Sequence, residues 1–333
     1  MKFGAFFRMA NPPPWQRDSH QLYSETLEEV EEAERLGFDS VTTTEHHFSP
    51  DGYIPSPLPI EAAMAARTKR VEICSYLILL PLHHPLRLAE DAAEVDIISG
   101  GRLTLGLGLG YRWEEYEGFG VPREHSGKIM DESVEILVRA FTEDRFSFDG
   151  RFFTLRDVAM VPKPYRKPRP VMWVGGPTNP AGVRRVARWG LEGFCGRPSP
   201  AMYQRYLQYC QEFGTEPKAE SQALFFGHCA EDPEQAFAEA ERYAKWQWAY
   251  YRDWWWTYGR TNVMGGTLRE DYIFGDPDTW IREIERRIQG DPPVSHIFVG
   301  LQLPGMPHEM VMRSMQLFAT RVLPHFQRST VTV

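Results

Sequence analysis

Cysteine is scarce in this chain, and its few cysteines are widely separated. Cys74, Cys195, Cys210 and Cys229 form no Cys-x-x-Cys pair in the 333 residues. Three of them fall within or at the end of predicted strands. We therefore expect buried, reduced thiols rather than disulfides.

Basic residues are outnumbered, and long apolar runs are missing. The 37 Lys and Arg stand against 45 Asp and Glu, which gives a net charge of −8. This balance argues against a nucleic-acid or anionic-membrane surface, because such a surface needs a basic stripe. No apolar stretch is long enough to span a bilayer. The N-terminus has one lysine and a short apolar run before Asn11, so we see no signal peptide and expect a cytoplasmic enzyme.

What the sequence does contain is a regular alternation of short apolar runs and amphipathic stretches. Eight units of this kind build a parallel sheet that can close into a barrel. Several runs are nearly all apolar, as strands covered on both faces must be. The sequence therefore predicts a single domain over residues 1–333, an α/β protein with a (β/α)8 TIM-type barrel. The predicted strands are Lys2–Phe7, Ser40–Thr44, Val71–Leu79, Leu103–Leu109, Val171–Val174, Leu191–Cys195, Ala223–Cys229 and His296–Leu301.

Two segments interrupt the alternation and are predicted as excursions from the barrel. Arg145–Leu155 is typical of a β-hairpin, because Asp149-Gly150 suits a tight type I′ turn. The segment 249–275 is unusually aromatic, and we interpret it as a mobile lid over the active site or as a subunit interface. A lid would supply at least one aromatic side chain to the substrate pocket and would swing at its glycines, Gly259, Gly265 and Gly266.

Glu45-His46-His47, directly after the second predicted strand, is the sharpest local feature. In such barrels the chemistry lies at the carboxyl ends of the strands. Histidine exchanges protons near neutral pH, and a neighbouring carboxylate can orient its ring. Adjacent strand residues point to opposite faces, so both histidines enter one site only if the strand has already ended. A catalytic histidine and a structural pair are about equally good interpretations. A metal site is disfavoured, because the other histidines are scattered.

Gly106-Leu107-Gly108-Leu109-Gly110 fits the dinucleotide fingerprint poorly. Its glycines fall at every second residue, Tyr111 occupies the place of the third glycine, and we expect no helix to open there. The pattern instead predicts a strand with bare positions on one face, where a flat ligand or another backbone can approach closely. Tight packing inside the barrel explains it about as well.

Gly175-Gly176-Pro177-Thr178 joins the fifth predicted strand to a helix. Exposed amides at a helix start bind anions, and a threonine hydroxyl adds to such a site. Barrels often place a cofactor phosphate at a loop of this kind. A well-capped helix without a ligand is an equally good interpretation.

Several segments stand in a fixed order along the chain and cover nearly the whole barrel. They are Met1–Phe7, Glu45–Phe48, Leu80–Glu90, Ser99–Leu103, Ser295–Gly300 and Ser314–Phe318, with the glycine-rich strand between them. This ordered set resembles the bacterial luciferase-like, flavin-dependent monooxygenases. The resemblance implies a luciferase-like barrel with reduced FMN in its mouth, delivered by a separate flavin reductase. It also implies that the flavin reacts with O2, forms a hydroperoxide and oxygenates a small organic substrate.

The resemblance also implies roles for individual residues. His46 matches the catalytic histidine near the reacting flavin edge, and Glu45 matches a buried acid beneath the flavin site. Ser75 and Tyr76 fall where relatives hold a non-proline cis peptide against the ring. The implied phosphate loop comprises Gly175, Gly176 and Thr178. The implied aromatic substrate pocket comprises Phe6, Trp254, Trp255 and Trp256.

One position departs from the family pattern. Many relatives have an arginine that pairs with the flavin phosphate where this chain has Leu109, and Arg112 lies three residues further on. This favours, as an alternative, the branch of the superfamily that uses a deazaflavin and transfers hydride without oxygen. A flavin-binding protein that has lost catalysis is a third hypothesis, since fold alone never establishes function; retention of Glu45-His46-His47 argues against it.

The resemblance further implies a homodimer. Pairing is expected through the helices after the second and third strands, near Leu58–Arg67 and Leu86–Ile98. Small residues on them would let helices approach closely and bury a flat apolar face. These residues are Ala62, Ala63, Ala65, Ala66, Ala89, Ala92 and Ala93.

Overall fold

The structure is a computed structural model, and it describes the backbone of residues 1–256 and 267–328, with the side chains of 1–251 and 267–327. The strands are β1 (Lys2–Phe6), β2 (Ser40–Thr43), β3 (Glu72–Ser75), β4 (Ile78–Leu79), β5 (Leu103–Gly108), β6 (Phe146–Asp149), β7 (Thr154–Val158), β8 (Val171–Gly175), β9 (Gly193–Cys195), β10 (Ser221–Cys229), β11 (Tyr272–Gly275) and β12 (Val294–Gly300). The helices are α1 (Ser19–Leu36), α2 (Pro57–Arg67), α3 (Pro85–Ser99), α4 (Trp113–Gly118), α5 (Ser126–Thr142), α6 (Pro180–Trp189), α7 (Pro200–Phe213), α8 (Pro233–Trp256), α9 (Leu268–Asp271), α10 (Pro277–Ile288), α11 (His308–Arg321) and α12 (Leu323–Arg328).

All eight predicted strands are present, with no outer end shifted by more than two residues. The residues of these elements fall into two compact units. The first comprises 1–42, 49–54 and 222–333, and the second comprises 43–48 and 55–221. The single-domain assignment stays a prediction. In the described chain, no helix is long and apolar enough to cross a membrane.

The first unit contains a sheet with the strand order β11, β10, β12, β1, β2. β1 pairs in parallel with both β12 and β2, and β10 pairs in parallel with β11. Helix boundaries follow the local sequence: the Asp18 side chain caps α1 by accepting from the amide of Gln21, and Gly37, at φ 91°, ends that helix. Asp276 caps α10 in the same way.

The second unit contains a parallel sheet with the order β3, β5, β8, β9, and β4 also pairs with β5. Every residue of β5 is buried, as its apolar sequence predicts. Helices α3, α5 and α6 bury aliphatic side chains against this sheet in one continuous core. The four cysteines are free and buried, which confirms that prediction.

The hairpin is present as β6 and β7, but the predicted type I′ turn is wrong. Asp149 is the last residue of β6, and four residues connect the strands. The Glu132 carboxylate on α5 accepts hydrogen bonds from the amides of Arg151, Phe152 and Phe153 at 2.8, 3.0 and 3.2 Å. A tertiary contact therefore replaces the short turn.

Three other expectations require correction. The predicted insertion 249–275 begins inside α8, which extends to Trp256, and it ends with α9 and strand β11. We expected no helix after the glycine-rich strand, but α4 begins there at Trp113. The third predicted strand is divided into β3 and β4, with Tyr76 and Leu77 between them.

Candidate active site

Both histidines of the Glu45-His46-His47 segment are buried, and each contacts a different carboxylate. β2 ends at Thr43, so strand alternation no longer applies to this segment. Nδ1 of His46 lies 2.8 Å from Oε1 of Glu115, and Nε2 of His47 lies 2.6 Å from Oε1 of Glu45. The two rings therefore have different chemical surroundings despite their adjacency.

Glu45 is a fully buried carboxylate that joins three segments of the second unit. It accepts hydrogen bonds from the rings of His47 and His83, at 2.6 and 2.8 Å, and from the amide of Leu79 at 2.7 Å. Burial raises the pKa of Glu45, but the hydrogen bonds and charges of the two rings outweigh it and lower that pKa to about 2. Burial lowers the pKa of His83, and its contact with Glu45 raises it by more. Glu45 is thus an anion that fixes the positions of these segments.

Glu115, on α4, has the corresponding role for His46, and sequence analysis missed it. Its side chain is fully buried, and Oε1 also accepts the amide of His47 at 3.0 Å. Nη1 of Arg112 donates to the His47 carbonyl at 2.7 Å and lies 3.5 Å from Glu115 Oε1. Acidic residues in a first helical turn favour a helix start, so Glu114-Glu115 was the available signal for α4.

Tyr111 completes the surroundings of His46. Its hydroxyl lies 3.2 Å from Nε2 of His46, and the two rings meet edge to face with centroids 5.3 Å apart. A carboxylate accepts only, so Glu115 favours the tautomer of His46 that carries its proton on Nδ1. In that tautomer Nε2 accepts the Tyr111 hydroxyl proton. Glu115, His46 and Tyr111 therefore form a continuous hydrogen-bonded row.

A second buried acid, Glu61 on α2, was also missed. It accepts the hydroxyls of Thr43 at 2.6 Å and Ser75 at 3.0 Å. Burial raises the pKa of Glu61 to about 7, the two hydroxyls oppose this rise, and the charge of Glu45 adds to it. Ser75, predicted to contact the cofactor, thus has its hydroxyl directed to Glu61.

The residues between β3 and β4 cover the glycines of β5. A non-proline cis peptide bond joins Tyr76 to Leu77, one residue beyond the expected Ser75-Tyr76 pair. A Cβ on Gly106 would overlap the Ser75 carbonyl oxygen, and one on Gly108 would meet the Leu77 side chain at 2.7 Å. The expected close approach of another backbone is therefore found at Gly106. Leu77 also lies 2.9 Å from the Cβ position of Gly175, so one apolar side chain covers the ends of two strands.

The Gly175-Gly176-Pro177-Thr178 loop joins β8 to α6 as predicted. Gly176 has φ 81°, a conformation that favours glycine. The Asn179 side chain caps α6 by accepting from the amide of Gly182 at 2.9 Å, and Thr178 is exposed. The helix is well capped, and an anion site here stays a prediction.

Other predicted site residues lie as follows. The Leu109 carbonyl accepts the Tyr116 hydroxyl, and its side chain is half-buried. Arg112 is bonded to the histidine segment, as described above, so the phosphate contact expected of it stays a prediction. Phe6 is buried in the first unit, with its ring 5.5 Å from that of Phe226. The side chains of Trp254, Trp255 and Trp256, and the predicted hinge glycines, lie outside the described residues.

Known proteins are similar to this chain in sequence and in fold. The profile of the luciferase-like monooxygenase family matches residues 1–288. The chain belongs to the luciferase-like monooxygenase family. Its fold is the TIM-barrel-like fold of that family, which confirms the predicted fold class.

Two uncharacterized proteins of Sinorhizobium fredii, y4wF and y4vJ, are 33% and 30% identical over 62% and 58% of this chain. The chain spans 60% and 54% of their lengths. The 4-hydroxyprotoasukamycin monooxygenase of Streptomyces nodosus subsp. asukaensis is 26% identical over 99% of this chain and 93% of its own length. Similarity to proteins with named activities therefore extends over the whole chain, at low identity.

Solved structures show the same fold over almost the whole chain. Monooxygenase RslO1 from Streptomyces bottropensis has a TM-score of 0.86 and 28% identity, covering 98% of this chain and 100% of its own. The oxygenating constituent of 3,6-diketocamphane monooxygenase from Pseudomonas putida, in complex with FMN, has a TM-score of 0.77 and 19% identity, over 97% and 98%. An F420-dependent secondary alcohol dehydrogenase has a TM-score of 0.74 and 18% identity, over 97% and 98%. The last two likenesses concern the fold alone.

Proposed function

We propose that this protein is a monooxygenase that uses reduced FMN and O2 to oxygenate a small organic substrate. A separate flavin reductase would supply the reduced FMN. The hydrogen-bonded row of Glu115, His46 and Tyr111 carries this proposal, since it gives a buried imidazole a fixed tautomer and a proton partner. Family membership and the names of the full-length relatives support it.

The residues of the second unit fit a flavin. Leu77 lies on Gly108 and Gly175 and remains partly exposed, so it offers an apolar surface to a flat ring. Gly175, Gly176 and Thr178 would hold the phosphate through backbone amides and a hydroxyl. Bound reduced FMN would supply the electrons with which O2 is activated.

His46 is the proposed catalytic residue. With Nδ1 donating to Glu115, its Nε2 can take a proton from Tyr111 or return one as the oxygen–oxygen bond is broken. Glu115 and Arg112 act as positioning residues, because they hold the His46-His47 backbone and ring. Glu45, with its low pKa, positions the residues around Leu79 in the same way.

An oxygen-labelling experiment tests the reaction. Purified protein would receive photochemically reduced FMN, a panel of small substrates and ¹⁸O2, with no reductase present. We expect one labelled oxygen atom per product molecule, and we expect an added generic flavin reductase with NADH to sustain turnover. Oxygenation that requires physical contact with one particular reductase would contradict delivery of free reduced FMN.

Deazaflavin-dependent hydride transfer is the second candidate, because Leu109 replaces the arginine expected at the phosphate. Arg112, the nearest cation in sequence, is bonded to the His47 carbonyl and lies beside Glu115. Titration of the protein with FMN and with F420, each monitored by its absorbance, separates the two. Binding of F420 alone, with anaerobic substrate oxidation, would replace the monooxygenase proposal. Binding of FMN without any turnover across the panel would favour the non-catalytic alternative.

Homodimerisation also stays a proposal, but the dimer surface that we propose differs from the one expected from the sequence. Ala89, Ala92 and Ala93 are fully buried in the core of the second unit, so they are not available to a partner. Ile97 and Ile98, at the end of α3, are exposed and offer apolar area on the expected helix. Sedimentation of wild type and Ile98→Asp at micromolar concentration tests this, and a monomeric wild type would contradict it. A cytoplasmic location is part of the same proposal.

A further inference from the structure

Arg8, two residues beyond β1, is a buried guanidinium without an acidic partner among the described side chains. Its exposure is 2%, and Nε and Nη1 have no hydrogen-bond partner in that part of the chain. A buried charge without a paired opposite charge costs several kcal/mol. Among the described residues, Arg8 therefore gains no ion pair that would offset this cost.

Aromatic rings surround this charge. The guanidinium carbon lies 4.2 Å from the ring centroid of Phe226, 5.2 Å from Phe6 and 5.9 Å from Tyr251. Cation–π contacts offset part of the desolvation cost. They leave Nε and Nη1 without acceptors among the described residues, however, because ring faces take little directional hydrogen bonding. The side chain is held in place, and these two donors are still available.

Asp51, the acid bonded to Tyr251, already has its own hydrogen-bond donors. Asp51 is buried and accepts hydrogen bonds from the hydroxyl of Tyr251 at 2.9 Å, the amide of Tyr53 at 3.2 Å and the hydroxyl of Ser49. The Tyr251 hydroxyl thus points to Asp51, while its ring adjoins Arg8. Asp51 holds Tyr251 as part of the aromatic wall and makes no ion pair with Arg8.

A second donor belongs to the same group. The Tyr272 hydroxyl is buried and has no partner among the described residues. Tyr272 pairs in register with Phe226, and their rings lie 6.3 Å apart. Burial raises the pKa of Tyr272, and the charge of Arg8 opposes that rise, so the field of Arg8 reaches this hydroxyl. Phe226, which contacts both Arg8 and Tyr272, is partly exposed, whereas Arg8 and Tyr272 are buried.

We propose that Arg8 and Tyr272 form a substrate subsite that binds an anionic oxygen on a planar, conjugated molecule. Aromatic walls suit a flat ring system, and a guanidinium with a phenol hydroxyl suits a carboxylate or an acidic enol oxygen. β1 ends at Phe6, and in TIM-type barrels the carboxyl ends of the strands form the catalytic face. The inference rests on the proposed monooxygenase function and names its substrate class: a conjugated acid rather than a neutral aliphatic compound.

Binding without flavin or oxygen tests this subsite independently of turnover. Isothermal titration would compare 2-naphthoate with its neutral amide, 2-naphthamide, and 2-hydroxy-1,4-naphthoquinone with its neutral 2-methoxy ether. We expect Arg8→Gln to weaken binding of the anions roughly 10- to 100-fold, as loss of a charged hydrogen bond implies. The neutral analogues should change less than about threefold. Whichever anion, 2-naphthoate or 2-hydroxy-1,4-naphthoquinone, loses more affinity in Arg8→Gln identifies the preferred group as a carboxylate or an enolate.

Matched variants keep the result interpretable. Arg8→Lys retains the charge and should recover part of the anion affinity, and Tyr272→Phe should weaken the anions alone. Arg282→Gln, on the exposed face of α10, is the control and should bind as wild type does. An equal loss of affinity for the acid and the amide in Arg8→Gln would mean that Arg8 is structural, and it would overturn the subsite. Two other results would also overturn it: anion affinity that Arg8→Gln leaves unchanged, and wild-type protein that binds neither anion. Failure of the monooxygenase proposal would appear separately, as absence of labelled oxygen with this binding intact.

Discussion

His46 Nδ1 lies 2.8 Å from Glu115 Oε1, although 69 residues separate them in sequence. The carboxylate is fully buried and also accepts the His47 amide at 3.0 Å, so it is held in place beside the ring. It fixes the tautomer of His46 and directs Nε2 to the Tyr111 hydroxyl. A histidine held in this way is suited to proton transfer, as in the orientation of histidine by a carboxylate in hydrolase triads.

His46→Ala should reduce turnover by about 10²- to 10⁴-fold, because the variant removes the proton-transfer group. The protein should stay folded, because Glu115 keeps the His47 amide as a donor and Arg112 beside it. Steady-state product formation and thermal unfolding measure the two effects. His47→Ala is the matched control. It removes a donor to the buried anion Glu45, so it should lower stability more than the intrinsic rate. Full turnover in folded His46→Ala would refute the assignment.

Glu115→Gln should lower kcat at least roughly tenfold, a part of the effect of losing the imidazole. It replaces a carboxylate, which only accepts hydrogen bonds, with an amide that can also donate, so the tautomer of His46 is no longer fixed, while the side chain keeps nearly the same shape. The loss should therefore appear in kcat, with KM changed little. Glu115→Asp, which restores the charge, should recover part of the rate. A loss of stability with an unchanged kcat in the folded variant would mean that Glu115 is only structural.

Glu61→Gln should change the pH dependence of stability. The folded-state pKa of Glu61 is about 7, above its ordinary value of 4.5. Its contribution is therefore fully present below pH 4.5 and is lost as the pH rises through 7. At about 1.4 kcal/mol per pKa unit, wild type should lose on the order of 3 kcal/mol over this interval relative to the variant. Urea unfolding from pH 5 to 8 measures it, with exposed Glu124→Gln as control, and parallel curves for wild type and Glu61→Gln would contradict the prediction.

The strands were predictable because their sequence signals are local. Apolar runs of strand length, as in β5, indicate a strand that is buried on both faces. A glycine or a capping side chain indicates where a helix ends or begins, as in α1. The type I′ turn failed because Glu132, on a distant helix, binds the amides of the loop. β11 was missed because its residues, Tyr272–Gly275, continue an aromatic segment without a change of pattern.

The candidate site was predictable only where its residues are adjacent in sequence. Glu45-His46-His47 is visible as a motif in the sequence, and the alternation of strands and helices places it directly after a strand. Glu115 and Glu61 come from helices, and an acid on a helix surface is ordinarily solvated, so nothing local distinguishes them from their exposed neighbours. Their role depends on which helix packs against the end of β2, and sequence periodicity does not encode that.

Gly106→Ala should destabilise the protein by about 1–3 kcal/mol or more and weaken flavin binding. The added methyl would overlap the Ser75 carbonyl oxygen, which is backbone and cannot turn away as the end of a flexible side chain would, and it would meet Cys195 Sγ at 3.3 Å. Gly127→Ala is the control, since its methyl would meet only the Arg185 guanidinium at 3.6 Å, at a helix position where alanine is favoured. Chemical unfolding and FMN titration measure both effects. Equal stability of the two variants would show that the residues between β3 and β4 can move away from β5.

Arg102→Lys should lower stability by about 2–3 kcal/mol and leave His46-dependent chemistry unchanged. Arg102 joins the ends of α2 and α3 to the strands: Nε donates to the Ser99 carbonyl at 2.7 Å, Nη1 to the Val71 carbonyl at 2.8 Å and Nη2 to the Ala65 carbonyl at 2.9 Å. Lysine keeps the charge but has no planar fork, so it cannot reach these carbonyls together, and some of them lose their donor. Arg87→Lys, on the exposed side of α3, is the control and should be neutral. The readouts are the urea midpoint and the kcat of the fraction that remains folded. A loss of kcat at full stability would instead place Arg102 in the catalytic machinery, and a neutral effect on both would show that water replaces the lost donors.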